Sequence, residues 1–321
     1  MKRIYHFPLV LLIIPLILSC SKNEFSNEDQ PKADSEILKI IEEINADSIA
    51  SNIKMLENLG TRYALASNRR EVSFTILKKF KSYGYTNARL DSFEVTLAKG
   101  CLIYTTWQYN VVAELEGTGY PDSLILIGGH HDCTLRATEP QNPLEFAPGA
   151  DDNASGVAVT LEIARVLKNS MVNPRKTILF ATFAAEEFGL HGSNHMAKAM
   201  ADTSAKVQFM LNNDMVSYCS IQDSSLWYVN IIDYLNSVEL REKAAQLCEL
   251  YTSLKAVNNN EYQKYSDSYS FYLNNFPSLF FISFHDDPNY HSVNDLAVYQ
   301  NLKFAREVAK LNCALIIDAN K

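Results

Sequence analysis

The sequence lacks the marks of several large protein classes. It has no basic run, and its 37 acidic side chains outnumber 29 basic ones, for a net charge of −8. Nucleic acid, whose phosphates must be neutralised, is therefore not an expected partner. No two cysteines form a C-x-x-C pair, so a structural zinc ribbon is not expected. No apolar stretch reaches the roughly 20 residues that a bilayer-crossing helix needs. Internal repeats are absent too, as is low-complexity sequence beyond the first few dozen residues.

What is present begins with a targeting signature. Lys2 and Arg3 precede an apolar run from Phe7 to Leu18, which ends in Ile17-Leu18-Ser19-Cys20. The run is too short to span a membrane and suits a cleaved signal. Its end resembles a bacterial lipobox, in which cleavage precedes a lipidated cysteine. Residues 1–19 are expected to be the signal peptide. Cys20 would be the lipid anchor, and residues 20–34 a polar tether. The protein is then expected to be exported and membrane-anchored. Five further cysteines follow: Cys101, Cys133, Cys219, Cys248 and Cys313. Their spacing assigns no disulfide.

Residues 35–321 read as one α/β domain. Ile37, Ile40, Ile41, Ile44, Ile49, Ile53 and Leu56 recur at helical spacing. Another helix is expected over Glu71–Tyr83, with Gly84 as its stop. Strands are expected at 88–95, 109–115, 124–127, 177–184, 207–211, 226–232 and 277–283. Helices are expected at 154–168, 193–200, 239–251 and 300–317. The alternation predicts a three-layer α/β/α sandwich on a mixed, mostly parallel sheet. Leu124-Ile125-Leu126-Ile127 is continuously apolar, as a sheet-centre strand should be.

The chemistry-bearing residues follow strands. His130 comes just after that central strand, in Gly128-Gly129-His130-His131-Asp132. Open α/β sheets bind ligands at this strand end. Asp132 is placed to hydrogen-bond the His130 imidazole and fix its tautomer. His131 carries no separate expectation. Asp151-Asp152-Asn153 precedes a helix, flanked by Gly149 and Gly156, which permit close backbone approach. By itself such a pair would cap a helix. A second acid pair, Glu186-Glu187, ends the next strand. Adjacent side chains point apart, so one can bind metal while the other faces substrate as a general base. Asp214 ends a further strand, and His291 follows the last one. Two histidines and three carboxylates exceed the needs of one tetrahedral zinc. They suit two ions about 3.5–4 Å apart with one carboxylate shared.

Taken together, GGHHD, GADDNASG, AAEEFGLHGS, NNDM and YH, in this order, resemble the secreted bacterial dizinc aminopeptidases of metallopeptidase family 28. The likeness runs from about Leu38 to the C-terminus and includes Leu59-Gly60-Thr61-Arg62. It implies His130 and Asp214 on one zinc, Glu187 and His291 on the other, and Asp152 bridging both. It implies a cis peptide at Asp152–Asn153, Glu186 as general base, and Tyr290 as an aid to the oxyanion. The substrate would be a peptide with a free N-terminus, and no organic cofactor is implied. The chain departs from the family at Ser266-Asp267-Ser268-Tyr269, where many relatives have Ser-Asp-His beside the substrate. The loop from Cys133 to Pro148 and the rings of Trp107, Trp227 and Tyr265 are candidates for the cleft mouth. Two other readings share the fold: a one-zinc glutaminyl cyclase, and a binding module without catalysis.

Overall fold

The structure is a computed structural model that describes residues 32–170 and 173–321. The expected signal peptide, Cys20 and most of the tether lie outside the described residues. The tether's last residue already belongs to the fold. Asp34 caps helix α1 (Ser35–Ile41), accepting the backbone N–H of Glu36 and Ile37. The helical stretch from Ser35 is two helices. Asn45 interrupts it and caps α2 (Ala46–Glu57) through the N–H groups of Asp47 and Ser48.

The chain then alternates. After α3 (Arg69–Ser82) come β1 (Arg89–Lys99), β2 (Leu102–Leu115) and β3 (Tyr120–His130). Helix α4 (Gly156–Asn169), β4 (Lys176–Phe183), α5 (His191–Asp202) and β5 (Lys206–Asn213) follow. The last part holds β6 (Tyr228–Ile232), α6 (Val238–Tyr251), β7 (Lys255–Val257), α7 (Ser268–Leu273), β8 (Ser278–Ser283) and α8 (Leu302–Ala319). These eight strands form one sheet in the order β1-β2-β4-β3-β5-β8-β6-β7. Its middle, β4-β3-β5-β8, is parallel throughout, while β2 and β6 join it antiparallel. The expected mixed, three-layer sandwich is thus the observed fold.

Alternation along the central strands builds both cores. Ile125 and Ile127 face α1–α4, α6 and α8, while Leu126 faces α5 and α7. Ile178 and Phe180 of β4 join the first core, and Leu179, Ala181 and Phe183 the second. Each such fully buried large side chain contributes about 1.5–3 kcal/mol.

The differences from expectation lie where burial is weak or elements are short. Strand β2 begins seven residues early because its first half is an exposed hairpin with β1, without a core face to impose a pattern. Strand β3 begins at Tyr120, four residues before the expected start at Leu124, and its pairing with β4 shifts between Tyr120 and Leu124. The three-residue β7 and six-residue α7 carry too little periodicity to be seen in the sequence. No helix among the described residues is long and apolar enough to cross a membrane.

The parallel middle of the sheet positions the site. His130 ends β3, Phe183 ends β4, Asn213 ends β5 and Ser283 ends β8. Four parallel strands therefore deliver their following loops to one edge.

Candidate metal centre

At that edge the five expected donors converge. His130 Nε2 lies 3.1 Å from Asp152 Oδ1 and 3.3 Å from Asp214 Oδ1. His291 Nε2 lies 2.8 Å from Asp152 Oδ2 and 3.1 Å from Glu187 Oε2. Asp152 thus turns one carboxylate oxygen to each imidazole. Two donors about 2.0–2.1 Å from one tetrahedral zinc stand roughly 3.3 Å apart, so these spacings fit shared ions. Glu186 joins the first cluster: one donor atom each from His130, Glu186 and Asp214 lie within 4.8 Å of one another.

At the second cluster Glu187 Oε1 is buried without a hydrogen-bond partner, and His291 Nε2 makes no aligned hydrogen bond to the two carboxylate oxygens beside it. A buried carboxylate oxygen without a partner is costly unless a cation takes it. The donor set of imidazole and carboxylate suits zinc.

Each donor is fixed by the chain around it. The peptide bond between Asp152 and Asn153 is cis. Asn153 ties this turn to β5, donating Nδ2–H to the Asn213 carbonyl at 2.9 Å and accepting the Gly156 N–H at 2.9 Å. Gly156 has to be glycine: a Cβ there would stand 2.0 Å from the Asn213 oxygen. Asp295 accepts the N–H groups of Asp151 and Asp152, and Asp132 accepts those of Glu186 and Glu187. Ser266 donates its hydroxyl to Asp214 Oδ2 at 2.6 Å.

The role expected of Asp132 is corrected in detail. Its carboxylate is committed to the two glutamate amides and lies 3.6 Å from His130 Nδ1. Its backbone carbonyl, at 3.2 Å, is the partner of that nitrogen instead. His131 is buried between the Thr182 and Ser73 hydroxyls, away from the donors. Asp151 points elsewhere as well, accepting from Ser217 and Tyr218.

The fields of this cluster are strong. Burial would raise Asp152, but the imidazoles of His130 and His291 outweigh it and hold its carboxyl below the usual range. Burial would lower His291, yet Asp152 and Glu187 push it up to about 10. Burial pushes Glu187 up to about 7 and Glu186 well above its ordinary value, with neighbouring carboxylates adding to both. Protons and divalent cations compete for such donors.

A cavity of about 220 Å³ opens over the cluster, lined by His130, Asp152, Glu186, Glu187, Asp214 and His291. Tyr290 lines it too, half-exposed and stacked on His291 with ring centroids 3.8 Å apart. Of the candidate rim rings, Tyr265 lines the cavity. Trp227 is core, edge-on to Phe304, and Trp107 lies exposed on β2. No residue of the Cys133–Pro148 loop lines it. That loop acts from behind: Arg136 donates to the carbonyls of Tyr290 and His291, fixing a His291 with φ of +51°. Arg62 holds the loop in turn, donating to the carbonyls of His131, Pro148 and Gly149.

Sequence reasoning missed Asp295, Ser266, Asn153 and Arg136. Each acts through backbone or a neighbour's carboxylate, and only Asp295 stands outside the segments singled out in the sequence.

Residues 110–316 match the model of Peptidase family M28. The chain belongs to this family. It is similar to a probable zinc metalloprotease of Pyrenophora teres f. teres (strain 0-1), 33% identical over 227 residues, which are 66% of this chain and 47% of that protein. The chain thus spans about half the length of that curated relative. In three dimensions the M28 fold here is similar to the LapA aminopeptidase of Legionella pneumophila, with a TM-score of 0.72 and 23% identity over 90% of this chain and 75% of that one. It is also similar to a glutaminyl cyclase of Fimbriiglobus ruber, with a TM-score of 0.69 and 16% identity, over 85% and 95% of the two chains.

Proposed function

We propose that this M28 protein is a zinc-dependent aminopeptidase that removes residues from the free N-terminus of peptides. The observation that carries the reading is the Asp152 carboxylate, with one oxygen 3.1 Å from His130 Nε2 and the other 2.8 Å from His291 Nε2. It supports two ions. His130 and Asp214 would hold one, Glu187 and His291 the other, with Asp152 shared. Bound zinc supplies Lewis acidity, which acidifies water and polarises a carbonyl.

The chain's own residues do the rest. Glu186, buried beside the donors and held in place through its N–H by Asp132, takes a proton from the attacking water. The water oxygen bonds to the scissile carbon, and the carbon–nitrogen bond breaks. Glu186 returns the proton to the leaving amine. Tyr290 lines the cavity and donates its phenol hydrogen to the developing oxyanion.

We further propose export, with Cys20 as a lipid anchor to a membrane. The support is the sequence of residues 1–20 alone.

The test is mass spectrometry of a mixed peptide pool that includes N-terminal glutamine. Stepwise loss of N-terminal residues, abolished by a chelator and restored by zinc, is expected. Loss of ammonia from the glutamine peptides alone would replace this reading by a cyclase.

A further inference from the structure

Apart from Asp151, whose carboxylate accepts from Ser217 and Tyr218, the wall of the cavity beyond the donors carries two carboxylates that the proposed chemistry does not use, those of Asp286 and Asp287. Asp152, Glu186, Glu187 and Asp214 match the charge of two divalent ions. Asp286 and Asp287 then leave the cavity negative. Among the described residues no lysine or arginine lines it. The cation that bears on Asp287 is Arg136, whose guanidinium is committed to the carbonyls of Tyr290 and His291. Asp287 accepts the Asn289 N–H on Oδ1, while its Oδ2 is buried without a partner. Asp286 is exposed on the same wall and bears on Tyr262 and His285.

The remaining surface is of another kind. Met215, Phe280 and Ile282 give an apolar lining, and Tyr262 and Tyr265 add two exposed rings. An apolar lining with an acidic wall complements a side chain made of an aliphatic stem and a cationic end.

On the aminopeptidase reading above, we propose that this cavity selects a lysine or arginine as the residue to be removed, with Asp286 as the specificity-determining carboxylate. Asp287 adds to the same field. The stem lies along Met215, Phe280 and Ile282, and the ammonium or guanidinium meets Asp286.

Norleucine has the lysine stem without its charge, so the pair isolates the electrostatic contribution. The zinc-loaded chain is assayed on lysyl, arginyl, norleucyl and glutamyl anilides. Binding of lysinamide and norleucinamide is measured by calorimetry in parallel. The expected lysyl-to-norleucyl ratio of kcat/KM is about tenfold or more at low salt, falling as salt is raised. Asp286→Asn should lower that ratio several-fold, and Asp286→Lys should shift preference from lysyl toward glutamyl. Equal turnover of lysyl and norleucyl substrates, or a ratio unmoved in both variants, overturns the proposal. If no anilide is cleaved, the aminopeptidase reading fails, and calorimetry decides the selectivity by itself. Tighter lysinamide that weakens in Asp286→Asn then supports it, and equal binding of the two amides overturns it.

Discussion

Asp132 and Asp295 perform the same task for two different acid pairs. Asp132 accepts the N–H groups of Glu186 and Glu187 at 3.0 and 3.3 Å, and Asp295 those of Asp151 and Asp152 at 2.7 and 3.0 Å. In each case both oxygens of one buried carboxylate are spent on two consecutive amides. The acid pair's backbone is thereby fixed, and its side chains are left free for other partners.

Asp295→Ala removes this support from the proposed bridging residue and leaves two buried amides without acceptors. Loss of such an outer partner weakens metal affinity about 10–100-fold. Metal content after dialysis against a graded chelator should show the loss at a free zinc level that leaves the parent protein loaded.

Glu186→Gln should retain the ions and lose turnover by about 10²–10⁴-fold, the range of a general base. Metal analysis and kcat on the same preparation check both halves. Full activity would remove Glu186 from the mechanism.

Asp152→Ala should bind neither ion firmly, because each imidazole loses the carboxylate oxygen beside it. Zinc should then no longer raise the melting temperature. An unchanged stoichiometry of two would refute the shared carboxylate.

Chelation of the parent protein should lower its melting temperature, since Asp152, Glu186, Glu187 and Asp214 would remain clustered without cations. Zinc at 100 times its dissociation constant should restore about 2.7 kcal/mol. A melting temperature indifferent to chelator and zinc would exclude a structural contribution from the ions.

Arg62→Ala should destabilise the fold by roughly 3 kcal/mol or more, because the carbonyls of His131, Pro148 and Gly149 lose their donor in the interior. Chemical denaturation measures it.

The legible part of this protein was what periodicity and side-chain chemistry record. Ile125, Leu126 and Ile127 announced a central strand, and its end at His130 predicted where donors gather. His130, Asp152, Glu187, Asp214 and His291 were named in advance and are brought together in space. Partnerships were not legible. Asp295 stands in an unremarked loop, and only the fold places its oxygens against amides more than 140 residues away along the chain. Asp132 was named for its imidazole neighbour, although its carboxylate serves the next strand's loop. Exposed elements also escaped, as in the early half of β2, where no buried face writes a pattern into the sequence.

The donors come from the end of β3, from the loops after β4, β5 and β8 and from the turn before α4, and half the given sequence separates His130 from His291. During synthesis the first of these loops leaves the ribosome long before the last. No N-terminal fragment that stops short of His291 would hold all five proposed donors. Full metal affinity would therefore report that the chain has been made at least as far as His291, and a product truncated before it would be marked by its failure to retain zinc.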